Sequence, residues 1–535
     1  MITAPASGHG KTTVVAALAR RLTRDGLTVR VFKTGPDFLD PAWHTLASGH
    51  TVHNLDLWMT GEHDIRRRLY EAALDADLII VEGVMGLYDG EPSAAELARA
   101  FDLPVLAVID ASSMTGTFGA LAHGLQTWMP GLRWAGAIAN RVASPRHAHL
   151  IASASQRPVP ASANRTRENP GVPSGPVDLV RSAGSDDEPG KRSCMRPDGD
   201  IQGGSRNTQY PPADSCMCPD GDAQGDVSHY LGHIRRDASF GLPSRHLGLV
   251  AASELADAMA RLDAAADALD DTLLGQLDRE ALKRWNTVFH APASPASADD
   301  GERQPPQPLA GRTIAIARDS AFAFIYPANL DTLQALGATL CFFSPLADDP
   351  LPPCDAVWLP GGYPELYAET LSACRHLPQS LRAHVEAGKP VWAECGGMLP
   401  LFERMHREDH DWLMWGILPG HIEFQKRLAG LGMQQLDDWP AVQHAVPAGD
   451  ATVVVPDAEV SPSAPPLRGH TFHYSRCITT IGEVARSHRP DQPVSAEQGE
   501  AVYRYRALHA SYFHAWFAGS PLRTAALFQG ASHAS

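Results

Sequence analysis

The 535-residue chain contains no uninterrupted apolar run approaching the ~20 residues that span a bilayer. Its opening stretch, Met1–Gly8, has no basic cluster followed by an apolar segment, so no secretory leader is expected. Eight cysteines in a chain this long are too few for a disulfide framework, and cytoplasm is the expected compartment. Positive charge is also scarce: 45 Lys and Arg against 61 Asp and Glu leave a formal charge of −16. That balance argues against non-specific binding to nucleic acid or to an anionic membrane, while a local basic site remains free to hold a small anion.

What is present is apolar residue, 44% of the total, enough to fill more than one core. At roughly 150 residues per domain the length allows two to four domains. In residues 1–151, short aliphatic runs (Thr28–Lys33, Ala76–Glu82, Pro104–Asp110, Trp134–Asn140) alternate with helical patterns such as Val14–Asp25 and Ala94–Phe101. This alternation predicts an α/β fold with a parallel sheet. Residues 152–228 are rich in Ser, Pro, Gly, Asp and Arg and carry a small repeat that includes Cys194, Cys216 and Cys218. They read as a disordered insertion, and their spacing fits no zinc or EF-hand pattern. Residues 229–290 return to order, with a helix expected over 251–284; 291–311 read as a linker, and 312–535 as a second α/β unit.

Ser7–Thr13 (Ser-Gly-His-Gly-Lys-Thr-Thr) lies between a very short apolar start and a helical pattern. A glycine-rich turn lets backbone N–H groups approach phosphates, and the following helix N-terminus favours an anion. In this reading Gly8, Gly10 and Thr13 cradle phosphate, Lys11 reaches the β- and γ-phosphates, and the Thr12 hydroxyl ligates Mg²⁺. Pro5 stands where the strict pattern has glycine. Two acidic loops follow predicted strands of the same sheet: Lys33–Pro41, with Asp37 and Asp40, and Glu82–Gly90, with Asp89. Carboxylates at the carboxyl ends of strands suit metal and substrate sites; taken singly, each is an ordinary surface turn.

In the second unit, the strand-like Pro390–Glu394 runs into Cys395-Gly-Gly and a predicted helix over Met398–Met405. A cysteine at such a turn is expected to be exposed, with its thiol pKa lowered by the helix, and would attack an amide to form a thioester. Gly361 and Gly362, after the strand Ala356–Leu359, and Gly396 would offer N–H groups to an oxyanion. The base is left open among His470, His473, His509 and His514.

The chain resembles the cobyrinic (or hydrogenobyrinic) acid a,c-diamide synthase family. The motifs carrying the likeness are Ser-Gly-x-Gly-Lys-Thr, Lys33–His44, Asn54–Asp56, Glu82–Gly90, Asn140–Val142, Arg245–Leu249, Pro360–Leu366, Ala393–Gly397 and Ala510–His514, in that order. The resemblance implies a dethiobiotin-synthetase-like P-loop domain followed by a flavodoxin-like class I glutamine amidotransferase domain. It implies ATP- and glutamine-dependent amidation of the a and c acetates of a corrinoid through acyl phosphates. By motif, Cys395 is the nucleophile and His514 its activator; Gly8, Gly10, Lys11, Thr12, Thr13 and Asn140 bind nucleotide. Thr12, Asp37 and Glu82 would hold Mg²⁺, with Lys33, Asp40 and Asp89 at the substrate site. L-glutamine and a corrinoid are the expected partners, and a homodimer is one assembly open to such a chain. Two other readings carry the same motifs: an amide ligase for another tetrapyrrole such as nickel-sirohydrochlorin, and a ParA-like nucleotide switch with a degenerate amidotransferase domain. Only Met1–Ala4 precede the phosphate loop, where the family usually has a longer first strand, so either a misplaced start or a clipped central strand is expected. Trp516 stands where class I amidotransferases have Glu, so a Cys–His pair without a third acid is expected.

Overall fold

A computed structural model describes residues 1–155, 230–292 and 307–529, less 246–247, 250–251, 253–254, 438, 441–442, 449–450, 457–463, 491, 493 and 495–498. The repeat with Cys194, Cys216 and Cys218, and most of the expected linker, lie outside the described residues. Among the described residues no helix is long and apolar enough to cross a membrane.

The N-terminal half is built on a seven-stranded parallel sheet. Its strands are β1 (Ile2–Thr3), β2 (Val29–Thr34), β3 (His53–Leu55), β4 (Leu78–Glu82), β5 (Val105–Asp110), β6 (Trp134–Val142) and β7 (Tyr230–Arg235), in the order β3-β2-β4-β1-β5-β6-β7. Both faces are covered, which explains runs of aliphatic residues in place of an alternating polar pattern. Leu106 and Val108 of β5 point to one core, and Val105, Ala107 and Ile109 to the other. The short β1 lies at the centre of the sheet, with Ile2 opposite both Glu82 and Leu106.

Helix α1 (Lys11–Arg24) starts directly from the phosphate loop and buries Val14, Val15, Leu18 and Leu22 on the first core. It packs against the helix Ala258–Asp267, where Arg20 meets Asp263 and Arg24 meets Asp267, each at 2.6 Å. The long helix expected over 251–284 is broken into Ala258–Asp267 and the short Arg279–Leu282. Between them the chain folds back on itself so tightly that a Cβ on Gly275 would lie 2.0 Å from the Leu269 carbonyl oxygen.

The C-terminal half has its own seven-stranded sheet. Thr339–Phe343, Thr313–Ala317, Ala356–Leu359, Val391–Glu394 and Leu508–Ser511 pair in parallel, in that order. Ala501–Tyr505 and Glu483–Arg486 add an antiparallel edge. The helix expected over Met398–Met405 is instead a 3₁₀ helix, Cys395–Leu401, followed by the strand Arg404–Arg407. Pro400 lacks the N–H that an α-helix needs there.

A small apolar cluster joins the halves: Met59 and the partly buried Phe38 and Trp58 pack with Tyr326, Ala328 and Trp516. Arg468 donates to the Trp58 carbonyl at 2.8 Å and lies over its ring. On the C-terminal side, Asn329 is fully buried; its amide donates to the Ala515 carbonyl and its oxygen accepts from the Phe517 N–H, both at 2.8 Å. These bonds fix the segment that carries His514. Asn329→Leu would strand one buried acceptor and one buried donor, so a loss of about 2–4 kcal/mol is expected, read as a lower calorimetric melting temperature of the full chain.

Candidate active sites

The phosphate loop is shaped by glycine. Gly8 and Gly10 adopt φ of 85° and 89°, and a Cβ on Gly10 would sit 2.3 Å from Asn140 Nδ2. Asn140 comes from the neighbouring β6 and donates to the His9 carbonyl at 2.9 Å. It therefore braces the loop from the side. Lys11 lies along the loop and donates to the carbonyls of Ala6, at 3.2 Å, and Met85, at 2.5 Å. Burial, reinforced by the charge of Lys33, lowers the Lys11 pKa to about 8. A lysine held on carbonyls, with no carboxylate in hydrogen-bond contact, is ready to exchange them for phosphate oxygens. Asp89 accepts from the Gly86 N–H at 3.0 Å and closes the turn where Met85 meets the loop.

Beside Lys11 is a buried charge cluster. Lys33 donates to Asp40 at 2.5 Å and to Glu82 at 3.0 Å. Thr12 Oγ1 donates toward Glu82, at 2.9 Å, and is 3.2 Å from Asp40. His44 Nε2 contacts the other Glu82 oxygen. Burial alone would lower the Lys33 pKa, but Glu82, Asp40 and Asp37 hold it above its usual value. Burial and the neighbouring Asp37 push Asp40 up to about 8. Burial would raise Glu82 as well, yet Lys33 and His44 hold it below the usual carboxylate range. The structure thus groups Thr12 with Asp40 and Glu82. Asp37, expected in the metal set, instead accepts from the Leu39 and Asp40 N–H groups and stands 3.7 Å from Lys33. Hydroxyl and carboxylate oxygens are the donors that Mg²⁺ prefers, so Thr12, Asp40 and Glu82 fit that ion chemically. Among the described residues no group of three or more His, Cys, Asp or Glu side chains is arranged to hold a metal ion.

In the C-terminal half, Cys395 ends the strand Val391–Glu394 with a φ of 44°. Three glycine turns interlock around it. A Cβ on Gly397 would lie 2.1 Å from the Leu359 carbonyl oxygen, one on Gly396 2.5 Å from the Gly362 oxygen, and one on Gly361 2.3 Å from His514 Cε1. Cys395 is buried, contrary to the exposed, lowered-pKa thiol expected from sequence. Burial pushes its pKa well up, against the favourable Gly396 N–H, and the charges of Glu365, Glu500 and Glu394 add to the rise. Its sulfur borders a cavity of about 490 Å³ together with Gly362, Gly396, Glu365, Gln425 and His473.

The four candidate histidines separate clearly. His509 lies against Trp439, away from this cavity. His470 is buried, bonded to the Tyr326 hydroxyl at 3.2 Å, and burial lowers it to about 3. His473 lines the cavity, but its Nε2 is tied to Glu500 at 3.0 Å and its Nδ1 to the Ser475 carbonyl at 2.8 Å. His514 is buried against Gly361 and stacks on His470 at 4.8 Å, and burial lowers its pKa well below the usual value. Cys395 Sγ faces the Phe472 carbonyl at 3.8 Å.

Sequence reasoning missed two features. Phe38, between Asp37 and Asp40, stacks on Phe324 at 4.9 Å and packs against Tyr326, His470 and His514. Glu394, the residue before Cys395, stands 3.9 Å from His514 Nδ1. With Trp516 where many family members carry a second His and other class I amidotransferases have Glu, the sequence gave no reason to look for an acid inside the strand Val391–Glu394.

Comparison with known proteins agrees with this two-site layout. Residues 1–162 match the CobQ/CobB/MinD/ParA nucleotide binding domain, and residues 313–522 the CobB/CobQ-like glutamine amidotransferase domain. The hydrogenobyrinate a,c-diamide synthase of Stutzerimonas stutzeri (strain A1501) is 43% identical over 530 residues, covering 99% of this chain and 98% of that protein. Its namesake from Pseudomonas aeruginosa is 41% identical over 535 residues, covering 100% and 98%. The cobyrinate a,c-diamide synthase of Herminiimonas arsenicoxydans is 39% identical over 530 residues, covering 99% and 96%. The chain belongs to the hydrogenobyrinate/cobyrinate a,c-diamide synthase family, which joins a nucleotide-binding domain to a glutamine amidotransferase domain to form amides.

Proposed function

We propose that this chain uses ATP and glutamine to amidate the a and c acetate carboxylates of hydrogenobyrinate or cobyrinate. The observation that carries the reading is the pairing, in one chain, of a phosphate loop beside a Lys–carboxylate cluster with a cysteine at positive φ on the edge of a cavity of about 490 Å³. The names of the relatives at 39–43% identity supply the substrate class.

Glutamine enters the Cys395 cavity. His514 takes the thiol proton, and the sulfur attacks the side-chain amide carbon. The N–H groups of Gly396 and of the Gly361–Gly362 turn receive the developing oxyanion. The C–N bond breaks, and nitrogen leaves as ammonia carrying the proton from His514. Water then cleaves the thioester to give glutamate. His473 lines the cavity, but its ring nitrogens are already engaged by Glu500 and by the Ser475 carbonyl.

In the other half, Mg·ATP supplies the phosphoryl group and a cation that spreads its charge. Thr12, Asp40 and Glu82 would hold the cation, and Lys11 with the loop N–H groups would hold the phosphates. Lys33 keeps the carboxylate cluster from self-repulsion. A carboxylate is a poor acyl donor, so it is activated as an acyl phosphate; ammonia attacks the acyl carbon and phosphate leaves.

Two outcomes are expected. With glutamine, Mg·ATP and hydrogenobyrinate or cobyrinate, mass spectrometry should show two successive amidations. Cys395→Ala should lose glutamine-driven product by at least ~10³-fold yet keep the ammonia-driven reaction. Loss of both reactions in the variant would remove the two-site reading. Second, Lys11 is lowered to about 8, so it is charged below that pH and neutral above it. Phosphate binding favours the charged form. Above pH 8, ATP binding should therefore take up a proton, measured by calorimetry in buffers of different ionisation enthalpy, and Lys11→Gln should abolish the uptake.

A further inference from the structure

We propose that Glu394 is the third member of the glutaminase site, a positioning residue that orients His514 through Nδ1 and so replaces the acid that Trp516 cannot supply. The proposal rests on His514 serving Cys395, as above.

The geometry is specific. Glu394 and His514 are both essentially inaccessible to solvent. Glu394 Oε1 is fixed by Trp392 Nε1 at 2.6 Å and by the Ala515 N–H at 3.3 Å. That leaves Oε2 pointing toward His514 Nδ1, 3.9 Å away. Nδ1 is buried and has no hydrogen-bond partner. Trp516 is completely buried under Tyr326, so the position usual for a third acid is filled by an indole.

The chemistry requires such a partner. When His514 takes the Cys395 proton it becomes a cation in a site that excludes water. The neighbouring His470 and His473 oppose that charge. Glu394 is the carboxylate within reach. An ionised Glu394 also selects the tautomer with the proton on Nδ1, leaving Nε2 free as the base. A protonated Glu394 would donate to Nδ1 and select the wrong tautomer.

The groups facing this pair are Cys395 and Tyr326 on the Glu394 side and His470 and His473 on the His514 side. Burial pushes Glu394 up to about 8, Cys395 and Tyr326 well above their usual values, and His470 down to about 3. Glu394 is thus neutral below about pH 8 and ionised above it. Glutaminase activity should be lost as pH falls through that value.

The test is glutamine hydrolysis by the full-length protein from about pH 7 to about pH 9, for wild type, Glu394→Gln and His514→Ala. The expected result is a wild-type kcat that rises across this range. Glu394→Gln, which retains the Trp392 bond, should lower kcat by about 10²-fold with KM nearly unchanged, flatten the profile, and leave ammonia-driven amidation intact. A Glu394→Gln protein with wild-type kcat and profile overturns the proposal, and does so without touching the wider reading if His514→Ala is inactive. An active His514→Ala removes the underlying assignment instead. Should Glu394→Gln fail to fold, a flat wild-type profile over this range is enough to overturn the proposal.

Discussion

Parallel pairing is the constraint from which both sites follow. In a parallel sheet every strand ends on the same edge, and the loops leaving that edge converge. In the N-terminal half, β1 runs into the phosphate loop, β2 ends by Lys33, β4 ends at Glu82 and β6 carries Asn140. The register sets Lys33 opposite Glu82 and Ile2 opposite Glu82, so residues far apart in sequence meet at hydrogen-bond distance. In the C-terminal half the same rule brings the Gly361–Gly362 turn, Cys395 and the segment leading to His514 together, with Trp358 opposite Trp392 and Glu394 opposite Ser511.

The two sites store charge in opposite ways. The N-terminal cluster buries Lys33 with Asp40 and Glu82 and keeps them paired. Buried pairs of this kind contribute little net stability, because desolvation offsets most of the attraction. What they do fix is a set of charges beside the phosphate loop. The C-terminal site does the reverse. Burial drives Cys395 and Glu394 up and His514 down, so all three favour their neutral forms before substrate arrives.

The two carboxyl edges meet at Phe38. This ring projects from the loop that also carries Asp37 and Asp40 and enters an aromatic group of Phe324, Tyr326, His470 and His514. A single loop therefore touches the charge cluster on one side and His514 on the other. Apolar contacts at Met59, Ala328 and Trp516, with Arg468 clamped on Trp58, hold the halves in this relation.

By itself the sequence determined the elements whose chemistry is local. Glycine spacing at Ser7–Thr13 and Cys395–Gly397, and the aliphatic runs of β2, β4, β5 and β6, depend on neighbours a few residues away, and the ordered motifs specified the family. Tertiary structure decided what depends on burial and direction. It broke the helix expected over 251–284, because the chain turns back at Leu269–Gly275 to pack. It made Met398–Met405 a 3₁₀ turn and a strand, and it buried a cysteine expected to be exposed, raising a pKa that local helix geometry alone would lower. It moved Asp40 in front of Asp37 at Thr12, a choice that three residues of loop cannot reveal. It also set Glu394 beside His514. In the chain 119 intervening residues separate these two, and only adjacent parallel strands bring them within 3.9 Å.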